Sequence, residues 1–407
     1  MSATNGGHNV GGVIYPQPFK IRRLGHFGFN VGNLDASVDF YTRLFGFRLT
    51  DEIDIGAFEF MREAAKKMKE TRIFFLTYGT DHHAFLLADK TMGAFLGDSG
   101  PDGDVTLNQI TWQVGTLEEV VKADDYLRTR NVEMRRTGRD MPGSNWHCYF
   151  RDPDGHTIEL YYGMEQIGWD GRSKPRAMYD RRFDEKPALP QISEQQEVAD
   201  AVARGVDIFS GQRVADTGQA KYNVGGVMLP RPFKVTRIGP IALFCKDVGA
   251  SEAFFTESLG FVKTEEANYR GQTVRYLRNG TEHHSLVLAP RALRDTLGLS
   301  SHTTNMSMGF ELGSYQQLRD AVAYLKQNGV RFTDAIPPEL YPGIDYAAHA
   351  IDPDGHCLQL YCYMEQIGWD GKPRPASQRR KVSADWPETL PPLSDTYADQ
   401  TFQGPLG

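Results

Sequence analysis

Cysteine is scarce in this chain: four among 407 residues, at 148, 245, 357 and 362, with no Cys-x-x-Cys pair. That spacing fits free thiols in a reducing cytoplasm rather than a disulfide framework. No run of about 18 apolar residues occurs, so no membrane span is expected. The opening Met1-Ser2-Ala3-Thr4-Asn5-Gly6-Gly7 is polar and lacks the apolar segment of a signal peptide. Like charges form no block and the net charge is −7, which argues against a nucleic-acid or anionic-membrane surface. There is no phosphate-loop glycine pattern, no Gly-x-Ser-x-Gly and no Ser/His/Asp array. A cytoplasmic protein without nucleic-acid or membrane partners is expected.

What is there is a repeat. Asn9-Val10-Gly11-Gly12-Val13, continuing through Pro16, Pro18, Phe19 and Lys20, returns at residues 223–234 with nine of twelve positions identical. Met164-Glu165-Gln166-Ile167-Gly168-Trp169-Asp170-Gly171 returns unchanged at 364–371, and Asp152-Pro153-Asp154-Gly155-His156 returns at 352–356. The repeat divides the chain into an N-terminal half (1–171), a linker (172–221), a C-terminal half (222–371) and a tail (372–407). In the linker Ser193-Glu194-Gln195-Gln196 is a capping-box pattern that predicts one short helix, stopped by Gly205. The copies differ in chemistry: His26 becomes Pro240 and Glu159 becomes Gln359. One working site and one scaffold half are expected. The offset between copies falls from 214 at Phe47/Phe261 to 201 at His82/His283, so the first half carries 13 extra residues. They fall around 55–68, rich in Ala, Met, Glu and Lys, and predict a short amphipathic helix. It is read either as a lid or as a solvated surface helix.

Each half divides again. Residues 21–31 read as a strand. In 35–47, Val38, Tyr41, Leu44 and Phe45 have helical spacing, Asp35 is the expected cap and Gly46 the end. Strands follow near 47–52, 72–77 and 82–88. The order β-α-β-β-β recurs from 107 to 162, and twice more in 235–288 and 305–363. The expected fold class is α+β, with four βαβββ modules paired into two halves. Asp154-Gly155 reads as a turn between strands.

Three stretches carry a resemblance: Gly25-His26 with Asp35-x-Ser37-x-x-Phe40-Tyr41-x-x-Leu44-Phe45-Gly46-Phe47; Asp81-His82-His83; and Asp152-Pro153-Asp154-Gly155-His156-x-Ile158-Glu159-Leu160-Tyr161. The chain resembles the vicinal oxygen chelate superfamily and is most similar there to type I extradiol ring-cleaving dioxygenases. The resemblance implies that each module pair forms a curved mixed sheet, a cup with the metal inside. It implies His26 and Glu159 as metal ligands, His83 as the acid/base group with His82 beside it, and Tyr149 as an active-site tyrosine. Two positions depart from the family pattern. Gln109 stands where a third metal ligand, a histidine, is expected, and Asp140 stands about where many relatives carry a histidine behind the ligands. The family usually keeps its metal in the C-terminal half, but here Pro240, Ser307, Gln359 and His349 replace His26, Gln109, Glu159 and Tyr149.

A two-histidine, one-carboxylate face suits Fe(II), because it leaves positions for a catecholate and O2. His26, Gln109 and Glu159 form a weaker set. Fe(II) leads, Mn(II), Zn(II) and Ni(II) stay open, and harder oxygen ligation tilts toward Mn(II) or Mg(II). Glu159 lies in an otherwise apolar strand, so a metal or an arginine must stand near it. Gln109 is read as a ligand or as a hydrogen-bonding residue. The expected function is a metal-dependent ring-cleaving dioxygenase with a small aromatic substrate and O2, in a homo-oligomer. Phe58, Phe60 and Met61 would wall the ring. Two alternatives stand beside it: a lyase, isomerase or epimerase of the same superfamily, and an aromatic-binding protein without turnover.

Overall fold

Strand alternation sets the architecture. In the computed structural model, which describes residues 7–96, 106–139, 143, 145–178, 185–216, 218–300, 303–368, 370–380, 382 and 385–391, the N-terminal half opens with a hairpin, β1 (His8–Val10) and β2 (Val13–Tyr15). The first module follows as β3 (Ile21–Val31), α1 (Leu34–Asp39), β4 (Arg48–Asp54), α2 (Arg62–Ala65), β5 (Arg72–Thr77), β6 (Phe85–Asp89) and α3 (Lys90–Leu96). The second is β7 (Leu107–Val114), α4 (Leu117–Thr129), β8 (Met134–Arg139), β9 (Trp146–Arg151) and β10 (Thr157–Tyr162). Among the described residues, β3 to β10 form one sheet in the order β4-β5-β6-β3-β7-β10-β9-β8.

The linker contributes α5 (Glu194–Ala203), after which the plan repeats. A hairpin, β11 (Tyr222–Val224) and β12 (Val227–Leu229), leads into β13 (Val235–Cys245), α6 (Val248–Ala253), β14 (Val262–Tyr269), β15 (Gln272–Arg278), β16 (Leu286–Pro290) and α7 (Ala292–Thr296). The last module is β17 (Asn305–Leu312), α8 (Tyr315–Gln327), β18 (Arg331–Thr333), β19 (Ala347–Ile351) and β20 (Cys357–Tyr361). Its sheet runs β14-β15-β16-β13-β17-β20-β19-β18, the same order as in the first half. The class is α+β, with four βαβββ modules in two halves.

Period-2 alternation gives β3 two jobs. Phe27 and Phe29 enter a core shared with Ile241, Leu243 and Phe310 of the other half. His26 and Gly28 therefore face the opposite, concave side. The repeated Asp-Pro-Asp-Gly-His turns clamp the halves. Asp354 accepts from Gly32 N (2.6 Å) and Ser37 Oγ (3.1 Å), and Asp154 accepts from Lys246 N and Ser251 Oγ (both 2.8 Å). The turn is legible in the sequence; its reach across the halves is not.

Three local expectations change. The α1 cap is Asn33, which accepts from Ala36 N, not Asp35, and the helix continues as one wide π-turn to Leu44 before Gly46 at φ +80°. The helix expected in the insertion is only one turn, α2, preceded by two 3₁₀ turns. His82 and His83 precede β6 instead of lying on it. The α5 cap does form, with Ser193 accepting from Gln196 N. Among the described residues no helix is long and apolar enough to cross a membrane.

Candidate metal centre

Register brings distant residues onto one face. Glu159 on β10 stands opposite Tyr149 on β9 and Thr111 on β7, Thr111 stands opposite His26 on β3, and Gln109 stands opposite Gly28. His26 and Glu159 are 1% and 0% exposed. Their Nε2 and Oε2 atoms are 3.0 Å apart.

Glu159 is surrounded by donors. Its Oε2 also accepts from Thr111 Oγ1 (2.8 Å) and Gln109 Nε2 (3.3 Å), and its Oε1 accepts from Asn145 Nδ2 (2.7 Å). His147 Nδ1 stands 3.9 Å from Oε1. Burial alone would push this carboxyl up, but the charge and hydrogen bond of His26, then His147 and Thr111, bring it down to about 2. The buried carboxylate is thus compensated, as its apolar strand requires.

His83 packs edge-on against His26, with ring centroids 4.5 Å apart, and against Phe75 at 5.0 Å. Burial, then His26 and His82, push it well below its usual range, so the ring is neutral. Gly143 fixes it from the other side: a Cβ there would meet His83 Nδ1 at 2.9 Å, and the residue already sits at φ +88°. His82 Nδ1 contacts His83 Nδ1 at 3.1 Å. The repeated 164–171 segment closes this edge, where His82 N donates to Glu165 O and Glu165 N to Gly143 O (both 2.8 Å).

The remaining wall is apolar. Ile53, Ile55, Phe75, Leu86, Ala88 and Met92 form a buried cluster, and Phe58, Met61 and Met68 of the insertion pack on it. The Arg176 guanidinium of the linker lies over the Phe58 ring at 4.2 Å. Tyr149 OH reaches Gln109 Oε1 at 3.5 Å, and the Arg136 guanidinium covers the Tyr149 ring at 4.4 Å.

The donor set can be tested for a divalent ion. Ligands on adjacent corners, each about 2.1 Å from one ion, stand about 3.0 Å apart; His26 Nε2 and Glu159 Oε2 have that spacing. His26 Nδ1 is buried without a hydrogen bond among the described residues, so ring packing against His83 and Tyr161 orients the imidazole. Among the described residues no third His, Cys, Asp or Glu completes a cluster. Gln109 presents its amide nitrogen to Glu159, and turning the amide over would offer the oxygen instead. The residues fit an ion held by His26 and Glu159, with the Gln109 oxygen or water beside them.

The structure therefore brings His26, Gln109, Glu159, Tyr149 and His83 together, with His82 behind His83 and Phe58 and Met61 on the wall. Asp140 and the Phe60 side chain lie outside the described residues. Thr111, Asn145, His147 and Arg136 escaped sequence reasoning. Their signal was in the repeat: the register pairs that place Thr111 and His147 put Gly309 and Ala347 in the other half.

A family model described as Glyoxalase/Bleomycin resistance protein/Dioxygenase superfamily matches residues 23–160 and 237–360. The chain belongs to this superfamily. It is 24% identical over 144 residues to 3-methylcatechol 2,3-dioxygenase of Pseudomonas putida strain F1, a stretch covering 35% of this chain and 43% of that protein. The match thus spans less than half of that relative. In fold the chain is similar to the 2,3-dioxygenase LapB from Pseudomonas sp. KL28 (TM-score 0.56, 16% identity, covering 87% of this chain and 96% of LapB). It is also similar to homoprotocatechuate 2,3-dioxygenase from Brevibacterium fuscum (0.53, 15%, 88% and 85%) and to a Mn(II)-bound glyoxalase from Novosphingobium aromaticivorans (0.51, 13%, 86% and 85%).

Proposed function

We propose that the N-terminal cup is the active site of a metal-dependent extradiol-type dioxygenase that cleaves a catechol-like ring with O2. One observation carries this reading. A buried imidazole–carboxylate pair at ligand spacing lies in the N-terminal cup beside His83 and the apolar cluster around Phe75, and the other cup has Pro240 and Gln359 in place of that pair. The extradiol dioxygenases among the relatives support it.

His26 and Glu159 hold the ion in this reading, with Gln109 or water beside them. Fe(II) leads over Mn(II), Zn(II) and Ni(II). Bound there, the ion would supply Lewis-acid and redox chemistry. Neutral His83 takes a proton from a substrate hydroxyl. Tyr149, held between Gln109 and Arg136, orients the ring oxygens. Phe75, Leu86 and the insertion's Phe58 and Met61 exclude water from the ring face. Residues 1–171 then form the working half, 172–221 the linker, 222–371 the supporting half and 372–407 a tail.

The test is elemental analysis of anaerobically purified protein, then oxygen uptake with catechol, 3-methylcatechol and 3,4-dihydroxyphenylacetate. Bound metal with uptake and a ring-opened product is expected. The amide at 109 favours a second reading, in which a harder ion polarises a carbonyl for lyase or isomerase chemistry. Metal without oxygen uptake, but with turnover of a carbonyl substrate, would replace the first reading by the second.

A further inference from the structure

The concave face of the N-terminal cup carries a buried amide pair that the proposed chemistry does not use. Phe27, Phe29 and Val31 of β3 enter the core between the halves, so the alternate residues His26, Gly28 and Asn30 share the concave face. Asn30 stands beside Ala88 in the sheet, and Ala88 belongs to the apolar cluster of Phe75, Leu86 and Met92. A bulge in β7 leaves Asn108 as the extra residue between the pairs Gly28/Gln109 and Phe29/Leu107. Bulges re-aim side chains, and here Asn108 Nδ2 donates to Asn30 Oδ1 at 2.9 Å. Gly28 permits this approach: a Cβ there would meet Leu86 Cδ2 at 2.9 Å and Asn108 Cβ at 3.0 Å. Helix α3 covers Asn30 so closely that a Cβ on Gly93 would collide with its amide.

Asn30 is 1% exposed, and its Nδ2 has no hydrogen-bond partner among the described residues. A buried donor left unsatisfied is destabilising, so its presence calls for a reason. The fold does not supply one. In the C-terminal half the same backbone, with the same bulge, puts Ala242, Phe244 and Met306 at the positions of Gly28, Asn30 and Asn108. All three are buried in one apolar cluster with Val287 and Ala289. The sheet pairs Phe244 with Ala289 as it pairs Asn30 with Ala88. The amide pair thus belongs to the cup that holds His26 and Glu159, and an apolar pair serves the other equally well.

We propose that Asn30 Nδ2 recognises a neutral oxygen acceptor, such as the carbonyl of a ketone, ester or amide, carried by the ring of the substrate. This role rests on the dioxygenase reading of the cup. Asn30 Oδ1 is taken by Asn108, so the N–H end is what remains, and it only donates. A carboxylate substituent is disfavoured, because Ile53, Ile55, Phe75, Leu86, Ala88 and Met92 supply no cation to compensate a buried charge. An alkyl substituent leaves the donor unpaired. The substrate class is therefore a catechol with a neutral, oxygen-bearing side group that lies along the apolar cluster. Asn108 is a positioning residue that fixes the rotation of the Asn30 amide.

The experiment is anaerobic binding calorimetry on the full-length, Fe(II)-loaded protein. The probes are 3,4-dihydroxyacetophenone against 4-ethylcatechol, and 2,3-dihydroxyacetophenone against 3-ethylcatechol; in each pair a methylene replaces the carbonyl. The carbonyl also makes the diol more acidic and strengthens chelation in every variant, so the deciding quantity is the change in the ketone-to-ethyl affinity ratio on mutation. Asn30→Leu should lower that ratio about tenfold for at least one pair, the effect of losing one buried hydrogen bond, while the ethyl probe binds as well as before or better. Asn30→Leu with Asn108→Leu removes both partners at once, which keeps the fold free of a new unpaired donor, and should show the same fall. Circular dichroism checks folding. An unchanged ratio in the folded variants overturns the proposal, as does tighter binding of 3,4-dihydroxybenzoate than of the ketones. If the catechols bind without this change, the Asn30 assignment alone falls; if none of them binds, the dioxygenase reading falls and takes the assignment with it.

Discussion

In the N-terminal cup the connection from β4 to β5 runs 17 residues and that from β8 to β9 six; in the C-terminal cup the matching connections, β14 to β15 and β18 to β19, run two and thirteen. The long connection in the first half lies on the apolar wall, with Phe58, Met61 and Met68 against Phe75 and Leu86. The long connection in the second half is buried in its cup. Ile336, Leu340, Tyr341 and Ile344 pack with Ala242, Phe244, Val287 and Met364. The polar positions change in step. Gln359 takes the place of Glu159, and its Nε2 meets His349 Nε2 at 3.2 Å. A duplicated sheet keeps its outer core and its clamps in both copies, because those faces join the halves. Its concave faces are free to diverge, one lined by His26, Gln109 and Glu159 and one packed as core.

Converting one cup into the other is the most direct way to break this comparison. Glu159→Gln installs the C-terminal residue in the N-terminal cup. Oxygen uptake is expected to fall by more than about a thousandfold, roughly 4 kcal/mol of barrier, with loss of metal by elemental analysis. Gln359→Ala should stay within about twofold of wild type, and an equal loss there would end the one-site reading.

Gly143→Ala adds a Cβ against His83 at a left-handed backbone position. It should cost about 2–3 kcal/mol in urea unfolding, the combined effect of strain and displaced packing, and should lower turnover as well. Gly343→Ala, also at positive φ and crowding His283, should cost similar stability but leave turnover unchanged. Loss of activity in both variants would show that the two cups are functionally coupled.

The clamps should behave alike. Asp154→Ala and Asp354→Ala each remove two hydrogen bonds across the halves. Each should lower stability by about 1–2 kcal/mol in denaturant titration. Well-separated sites should add in the double variant. A cost confined to one of them would mean that the interface is not symmetric.

The smallest expected effect is a pH dependence from the filled cup. Burial lowers the His349 pKa to about 4. Below its ordinary value near 6.5 the unfolded chain takes up a proton that the folded protein refuses, so stability falls as pH drops from about 6.5 toward 4 and levels off below that. Between pH 7 and 5.5 the loss should be about 1 kcal/mol. His349→Gln should lose that part of the slope in paired urea titrations.

Much of the site was written in the repeat, because the two copies share a backbone and differ in chemistry. Comparing His26 with Pro240 and Glu159 with Gln359 was enough to mark one half. Thr111, Asn145 and His147 were hidden in strands whose residues look ordinary until register sets them beside Glu159. Asp35 was read as the helix cap because it opens the apolar period, but Asn33 has the extended backbone that a cap needs. The insertion's composition favoured helix, yet contact with the apolar wall held it to short turns, since a helix of this length has little stability of its own.

By itself the sequence determined the duplication, the four βαβββ modules, the α+β class and which half lost its histidine and carboxylate. Those features are local or periodic: strand alternation, helical spacing, turn motifs and identity between copies. Tertiary structure alone decided that Glu159 is ringed by three further donors, that Asp154 and Asp354 bind the opposite half, and that Arg379 joins Glu265 at the outer end of the second histidine pair. Each depends on residues tens to hundreds of positions apart being brought within about 4 Å, a distance that hydrogen bonding and charge can sense and that spacing along the chain does not encode.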